Sequence, residues 1–284
     1  MDRPNSLTSP NAIRAYLRAI DFSPGKSLGQ NFLVDANIRD LILDASETTS
    51  SDTVIEVGPG LGVMTEGLLA RARQVLAIEL DARLVAHLHR WFGEHPTLTL
   101  RHADATDTDW TLETRPDPVR VISNLPYSVG SRVLYDLAAP AAMPVSITVM
   151  VQRDVADRLL AAPGDPNYGL LSVRMQWGYE IRRIRNVPGS CFLPPPRVGS
   201  SVVHLTRRST PPVTLRDPET FEALVKFAFT RRRKQMTTIL RDFGAGGPPE
   251  NLDPRRRPET LSLSEWGELA NTLDRAPSAP HDSL

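Results

Sequence analysis

A chain of 284 residues with 40% hydrophobic and 23% charged side chains carries enough apolar material for one large domain, or a large one and a small one. It contains no apolar run of the ~20 residues a membrane span needs, and a single cysteine, Cys191, excludes an internal disulfide and a cysteine-rich zinc site. The formal net charge of zero hides an asymmetry: residues 1–150 carry 13 basic against 18 acidic side chains, and residues 151–284 carry 20 against 15. A basic C-terminal half suits a polyanionic partner, unless the excess is plain solvated surface. Of the six histidines only His87 and His89 are close in sequence, and two residues apart on a predicted helix they point to different faces, so no metal is expected. The stretch Met1–Ser6 lacks the apolar core of a secretory signal, which predicts a cytoplasmic protein.

The first predicted element is an amphipathic helix from Asn11 to Ile20, opened by Ser9-Pro10. Lys26-Ser27-Leu28-Gly29-Gln30-Asn31-Phe32-Leu33 sets two amides beside a glycine and an aromatic, a composition for a contact loop; the plain alternative is a turn whose Phe32 and Leu33 plug the core. A helix over Asp35–Ala45 leads to a short strand, Thr53–Val57, and Gly58-Pro59-Gly60-Leu61-Gly62 opens the helix after it. Such glycines let a backbone approach a ligand at a helix N-terminus, though a lone glycine loop is weak evidence. A second strand, Gln74–Ile78, ends in Glu79, about the ~20 residues beyond the glycines where a carboxylate accepts ribose hydroxyls. To this point a nicotinamide dinucleotide and S-adenosylmethionine fit equally. Asp104-Ala105, just beyond the strand Thr97–Leu100, is placed to hold an adenine amino group. Glu56 has no use against a pyrophosphate but suits a cationic sulfonium. Each of these two acids alone reads as well as a cap or a surface ion pair.

Val119–Ser123 is too short and apolar for anything but a buried strand, which puts Asn124-Leu125-Pro126-Tyr127 at its carboxyl end, where open α/β sheets bind ligands. An amide acceptor, carbonyls aimed outward by a stiffening proline and an aromatic face suit a flat, amino-bearing ring; the alternative is an ordinary strand-to-helix turn. A helix over Ser131–Leu137 and a central parallel strand over Val145–Val151 follow, then a helix over Leu170–Trp177. Glu180–Val187 and Ser200–Thr206 read as an antiparallel pair at the sheet edge. Between them Pro194-Pro195-Pro196 stiffens a loop that either presents Phe192 or seats it in the core. After the linker Arg207–Pro212, one helix is predicted from Asp217 to Phe243. Its four consecutive cations Arg231-Arg232-Arg233-Lys234 splay around the cylinder, with Lys234 and Arg241 on one face. Beside a nucleotide site they would meet phosphates; a solvated basic helix is the bland reading. Leu261–Leu273 is the last helix and Ala276–Leu284 a disordered tail.

Taken together, Lys26–Leu33, Glu56–Gly62, Glu79, Asp104-Ala105, Asn124–Tyr127, Phe192–Ser200 and Phe229–Leu240 resemble the KsgA family of ribosomal RNA adenine dimethyltransferases, from about Thr8 to Leu273. The resemblance implies a Rossmann-like class I methyltransferase domain with a seven-stranded mixed sheet over residues 1–207, including an N-terminal helical extension. A small all-helical RNA- and ribosome-binding domain would occupy 208–284. It implies S-adenosylmethionine as methyl donor, held by Gln30, Asn31, Leu33, Gly58, Gly60, Glu79, Leu80, Asp104, Ala105 and Asn124. Asn124, Leu125, Tyr127 and Phe192 would hold and activate the target adenine, with its base stacked between Tyr127 and Phe192, and Arg231–Lys234 would bind RNA. The implied substrate is a pair of adjacent adenosines near the 3′ end of small-subunit rRNA, modified by a monomer without a metal. Arg197 stands where that family prefers Lys, Gly199 where Asp is frequent, and Thr238 where Asn is usual. Two other readings remain: a relative acting on large-subunit rRNA, against which the proline-rich loop and long C-terminal domain argue, and an assembly factor that keeps the fold for binding.

Overall fold

The structure, a computed structural model, describes residues 6–25, 29–113, 118–139, 141–245, 249 and 252–273. Lys26, Ser27, Leu28 and the expected tail lie outside them. The described residues form nine strands: β1 (Phe32–Leu33), β2 (Thr53–Val57), β3 (Gln74–Glu79), β4 (Leu98–His102), β5 (Val119–Asn124), β6 (Ser146–Gln152), β7 (Tyr179–Val187), β8 (Phe192–Leu193) and β9 (Ser200–Arg207). Seven form one sheet in the order β4-β3-β2-β5-β6-β9-β7, and β1 and β8 pair separately. Strands β4 to β6 in that order are parallel neighbours, while β9 runs antiparallel to β6. The seven-stranded mixed sheet is therefore as expected. The continuous apolar runs Val-Ile in β2 and Ile-Thr-Val-Met-Val in β6 are buried along their whole length, as strands with both faces covered must be.

The chain runs β2 to β4 on one side of the sheet, then returns through β5 to the other. That reversal between β2 and β5 is the topological switch point, where parallel sheets open a ligand crevice. The β2–β5 ladder ends at Ile55–Val121, and beyond it the Ser123 hydroxyl donates to the Val57 carbonyl, holding the two strand ends together as their loops diverge. Helices α1 (Pro10–Ala19), α2 (Ala36–Ala45), α3 (Val63–Leu69), α4 (Ala82–Phe92), α5 (Trp110–Glu113) and α6 (Gly130–Leu137) alternate with these strands along the chain. Ser9 and Asp35 cap α1 and α2 by accepting from the backbone N–H three residues on. A helix α7 (Arg153–Leu160) after β6 was not anticipated.

The chain divides into two compact units: residues 1–156 with 180–207, and residues 157–179 with 208–284. The chain divides at 207/208, where the boundary was expected, and residues 157–179 also join the C-terminal helices. The reason is apolar: Tyr168 and Val173 are fully buried in one cluster with Phe221, Leu224, Ile239, Leu240 and Trp266. That unit contains α8 (Leu170–Gly178), α9 (Pro218–Thr230), α10 (Met236–Asp242) and α11 (Leu263–Thr272). The single helix expected over Asp217–Phe243 is two. Arg231–Gln235 leave helical geometry, Gln235 being extended, and the first amides of α10 donate to the carbonyls of Arg256 and Pro254 instead of continuing α9. Arg231–Lys234 therefore lie in a turn and not around a helical cylinder.

Candidate active site

Three loops converge on the crevice. The glycine loop after β2 turns back at Gly58, whose φ of +67° favours glycine and whose Cβ, if present, would stand 2.7 Å from Pro126 Cγ. The same residue donates its N–H to the Ile78 carbonyl at 2.8 Å, which brings the end of β3 alongside. The segment before β1 approaches from the other side: a Cβ on Gly29 would lie 3.0 Å from the Ser128 amide and 3.1 Å from that of Tyr127. Gln30 is pinned by accepting from the Gly25 amide and donating to Asp81, and Asn31 donates to the Gly29 carbonyl. These contacts bring Gln30, Asn31, Leu33, Gly58, Gly60, Glu79, Leu80, Asp104, Ala105, Asn124, Leu125 and Tyr127 to one cleft, about 970 Å³ in empty volume and partly open to solvent.

Asn124 is the last residue of β5. Its Nδ2 donates to the Asn31 carbonyl at 3.1 Å, and because a carbonyl only accepts, that bond fixes which end of the amide is which. The other end, Oδ1, is buried and has no partner among the described residues. Burying an acceptor unsatisfied costs about 1–3 kcal/mol, so an orphan at a strand's carboxyl end marks a place for an incoming N–H. Next to it, Pro126 gives its carbonyl to the amides of Val129 and Gly130 at the start of α6. Among the described residues no backbone N–H meets the Leu125 carbonyl. The Tyr127 hydroxyl bonds to Ser200, which anchors the ring's far end to β9.

The charges in the cleft decide what it binds. Glu56, Glu79 and Asp104 line it, and among its described lining residues there is no Lys, Arg or His. Glu56 is 1% exposed, holds the Thr65 hydroxyl at 2.7 Å, and is pushed up to about 8 by burial, with Thr65 opposing and the charge of Glu79 adding to the rise. Burial also raises Glu79, against which the amides of Asp81, Gly60 and Leu80 pull, each within 3.0 Å of its carboxylate. Asp104 accepts from the amide and hydroxyl of Thr106, both at 2.8 Å. A pyrophosphate would meet three carboxylates and no cation here, and a sulfonium with an ammonium group would meet what it needs.

Phe192 is not brought to the cleft. It is 3% exposed, sits on β8 opposite Leu33 of β1, and packs in the apolar core with Phe32, Leu33 and Val34. The cleft is thus lined by Tyr127 and not by Phe192, which joins β8 to β1. Arg231–Lys234 lie in the other unit. Arg231 stacks 3.7 Å from the Phe227 ring centroid, Arg232 donates to the Pro166 carbonyl, and Arg233 and Lys234 are exposed. Two participants escaped the sequence reading, Ser123 and Ser200, since each acts through a partner more than 60 residues away.

Fold and charge together define a class, a Rossmann-like methyltransferase whose methyl donor is cationic. The family model of ribosomal RNA adenine dimethylases matches residues 22–256, and the chain belongs to that family of S-adenosylmethionine-dependent enzymes. The chain is 37% identical to a ribosomal RNA small subunit methyltransferase A of Alkaliphilus oremlandii, over 96% of this chain and 99% of that one. Among solved structures, a dimethyladenosine transferase from Plasmodium falciparum shares the fold, with a TM-score of 0.70 at 24% identity over 84% of this chain and 95% of that one. The 23S rRNA methyltransferase ErmE superposes with a TM-score of 0.62 at 25% identity, covering 86% of this chain and 100% of that one.

Proposed function

We propose that this enzyme dimethylates the exocyclic N6 of two adjacent adenosines near the 3′ end of small-subunit rRNA, as a cytoplasmic monomer that needs no metal. The observation that carries the chemistry is the orphaned Asn124 Oδ1 in a cleft of three carboxylates and no described cation. S-adenosylmethionine supplies an electrophilic methyl group; Glu79 and Asp104 offer acceptors for its ribose and adenine, and Glu56, raised to about 8 in the free protein, becomes a countercharge by giving up its proton when the cation binds.

The adenine N6 lone pair is delocalised into the ring and attacks poorly. Asn124 Oδ1 and the Leu125 carbonyl accept the N6 hydrogens, which draws the lone pair out of conjugation and aims it. This is catalysis by positioning and electrostatics, and no general base is required before the product sheds its extra proton. A stacked base is out of reach, so the adenosine is flipped, with Tyr127 as its stacking face.

Support for the small subunit comes from the near-full-length match at 37% identity to relatives named for that subunit, against 25% for ErmE. The test is methyl transfer from labelled S-adenosylmethionine to unmethylated small and large subunits, with nucleoside analysis. Dimethyladenosine in small subunits alone is the expected result. Label in large subunits would overturn the substrate, and binding without label would leave an assembly factor.

A further inference from the structure

One cation at the rim of the same sheet has a placement that neither helix nor strand explains. Arg153 follows directly on β6 and opens α7; its amide donates to the Gly199 carbonyl at 2.9 Å. Its guanidinium lies over the bare backbone of Gly199, where a Cβ would stand 3.1 Å from Nη2 and 3.3 Å from Cζ. Gly199 is not among the glycines with positive φ, so the backbone there does not demand a glycine. What the missing side chain provides is room for the guanidinium. The Arg153 side chain is exposed. A cation in the first turn of a helix also faces the positive end of the helix dipole, so α7 gains nothing from it.

Its neighbours point to a ligand. The β6–β9 register sets Gln152 opposite Ser200, and the Ser200 hydroxyl meets that of Tyr127. Arg153 and Gly199 are therefore each one residue beyond a pair that ends on the aromatic of the adenine site. Arg197 and Val198 are exposed on the same loop, Val198 at 47%. The cleft offers no described cation, so a strand whose base enters it must have its backbone met at the rim, and a guanidinium matches a phosphate in geometry as well as charge.

We propose that Arg153, seated in the space left by Gly199, is a binding subsite for an RNA phosphodiester next to the nucleotide whose base enters the cleft. The inference rests on rRNA being the substrate. Its test is a titration of the full chain with a single-stranded RNA oligonucleotide containing adjacent adenosines, over a salt series, beside S-adenosylmethionine affinity and thermal midpoint. Arg153→Gln weakens RNA binding on the order of tenfold and lowers the slope of log affinity against log salt by about 0.7–1, with cofactor affinity unchanged. Gly199→Asp, which sets a carboxylate on the guanidinium, does the same, and the double variant is no weaker than either single one. Gly199→Ala, which intrudes without charge, leaves the slope as in the wild type. An Arg153→Gln variant with wild-type affinity and slope would overturn the subsite. Failure of the wild type to methylate small subunits contradicts the functional reading instead, and is seen in a different assay.

Discussion

Buried side chains in the cleft are set for ligands and not for stability. Glu56 illustrates this: its ordinary value of 4.5 is pushed to about 8 by burial. In the unfolded chain it ionises near the ordinary value, so between those two limits folding takes up a proton. The stability it contributes is complete below the ordinary value and is lost as pH rises through the raised one. The ligand-free protein is thus expected to lose thermal midpoint from about pH 5 to pH 8, and Glu56→Gln to flatten that decline. An unaltered decline in the variant would clear Glu56 of the effect. Tyr127 separates ring from hydroxyl in the same way. Tyr127→Phe keeps the stacking face and loses the Ser200 anchor, so methyl transfer should fall by less than about tenfold. Tyr127→Ala should lose far more, on the order of a hundredfold. Equal losses in a steady-state assay would mean the hydroxyl, not the ring, matters.

At the scale of elements, the glycine loop and the Asn124–Tyr127 turn are one construction, since Gly58 and Pro126 are in contact only because Gly58 has no side chain. Gly58→Ala combines a strained φ with a clash against a rigid ring, and should cost about 1–3 kcal/mol in unfolding free energy and weaken S-adenosylmethionine binding measured by calorimetry. The elements themselves were largely legible. Short apolar runs bounded by glycine and acid gave β2, β3, β5 and β6 to within a residue or two, because a strand covered on both faces leaves little else to choose from. The break between α9 and α10 was not, because the apolar spacing continues through it. The partners that end one helix and start the next, the Arg256 and Pro254 carbonyls, come from about 20 residues later. Phe192 was equally undecidable: the prolines announce a stiff loop but not which way its aromatic faces, and the β1–β8 pairing in which it lies joins residues about 160 apart.

At the scale of the whole molecule, the basic excess of the C-terminal half is distributed unevenly in its uses. Arg231 is engaged with Phe227 and Arg232 with the Pro166 carbonyl, while Arg233 and Lys234 are exposed. Arg233→Glu with Lys234→Glu should therefore weaken small-subunit binding and flatten its salt dependence while leaving thermal midpoint and cofactor affinity in place; unchanged subunit binding would remove this turn from the RNA interface. Membership of the rRNA adenine dimethylase family was legible in seven separated stretches, since their order and spacing survive where each alone is modest. The charge balance of the cleft, by contrast, needed the fold: Glu56, Glu79 and Asp104 are 48 residues apart at the extremes, and nothing in the sequence says that no described cation joins them.

The most direct test is single-turnover methyl transfer by Asn124→Ala on unmethylated small subunits, with S-adenosylmethionine and subunit binding measured on the same preparation. The orphaned acceptor predicts a rate lowered by about a hundredfold or more with both ligands still bound. Transfer at the wild-type rate would contradict the assignment of Asn124 as the group that activates the adenine.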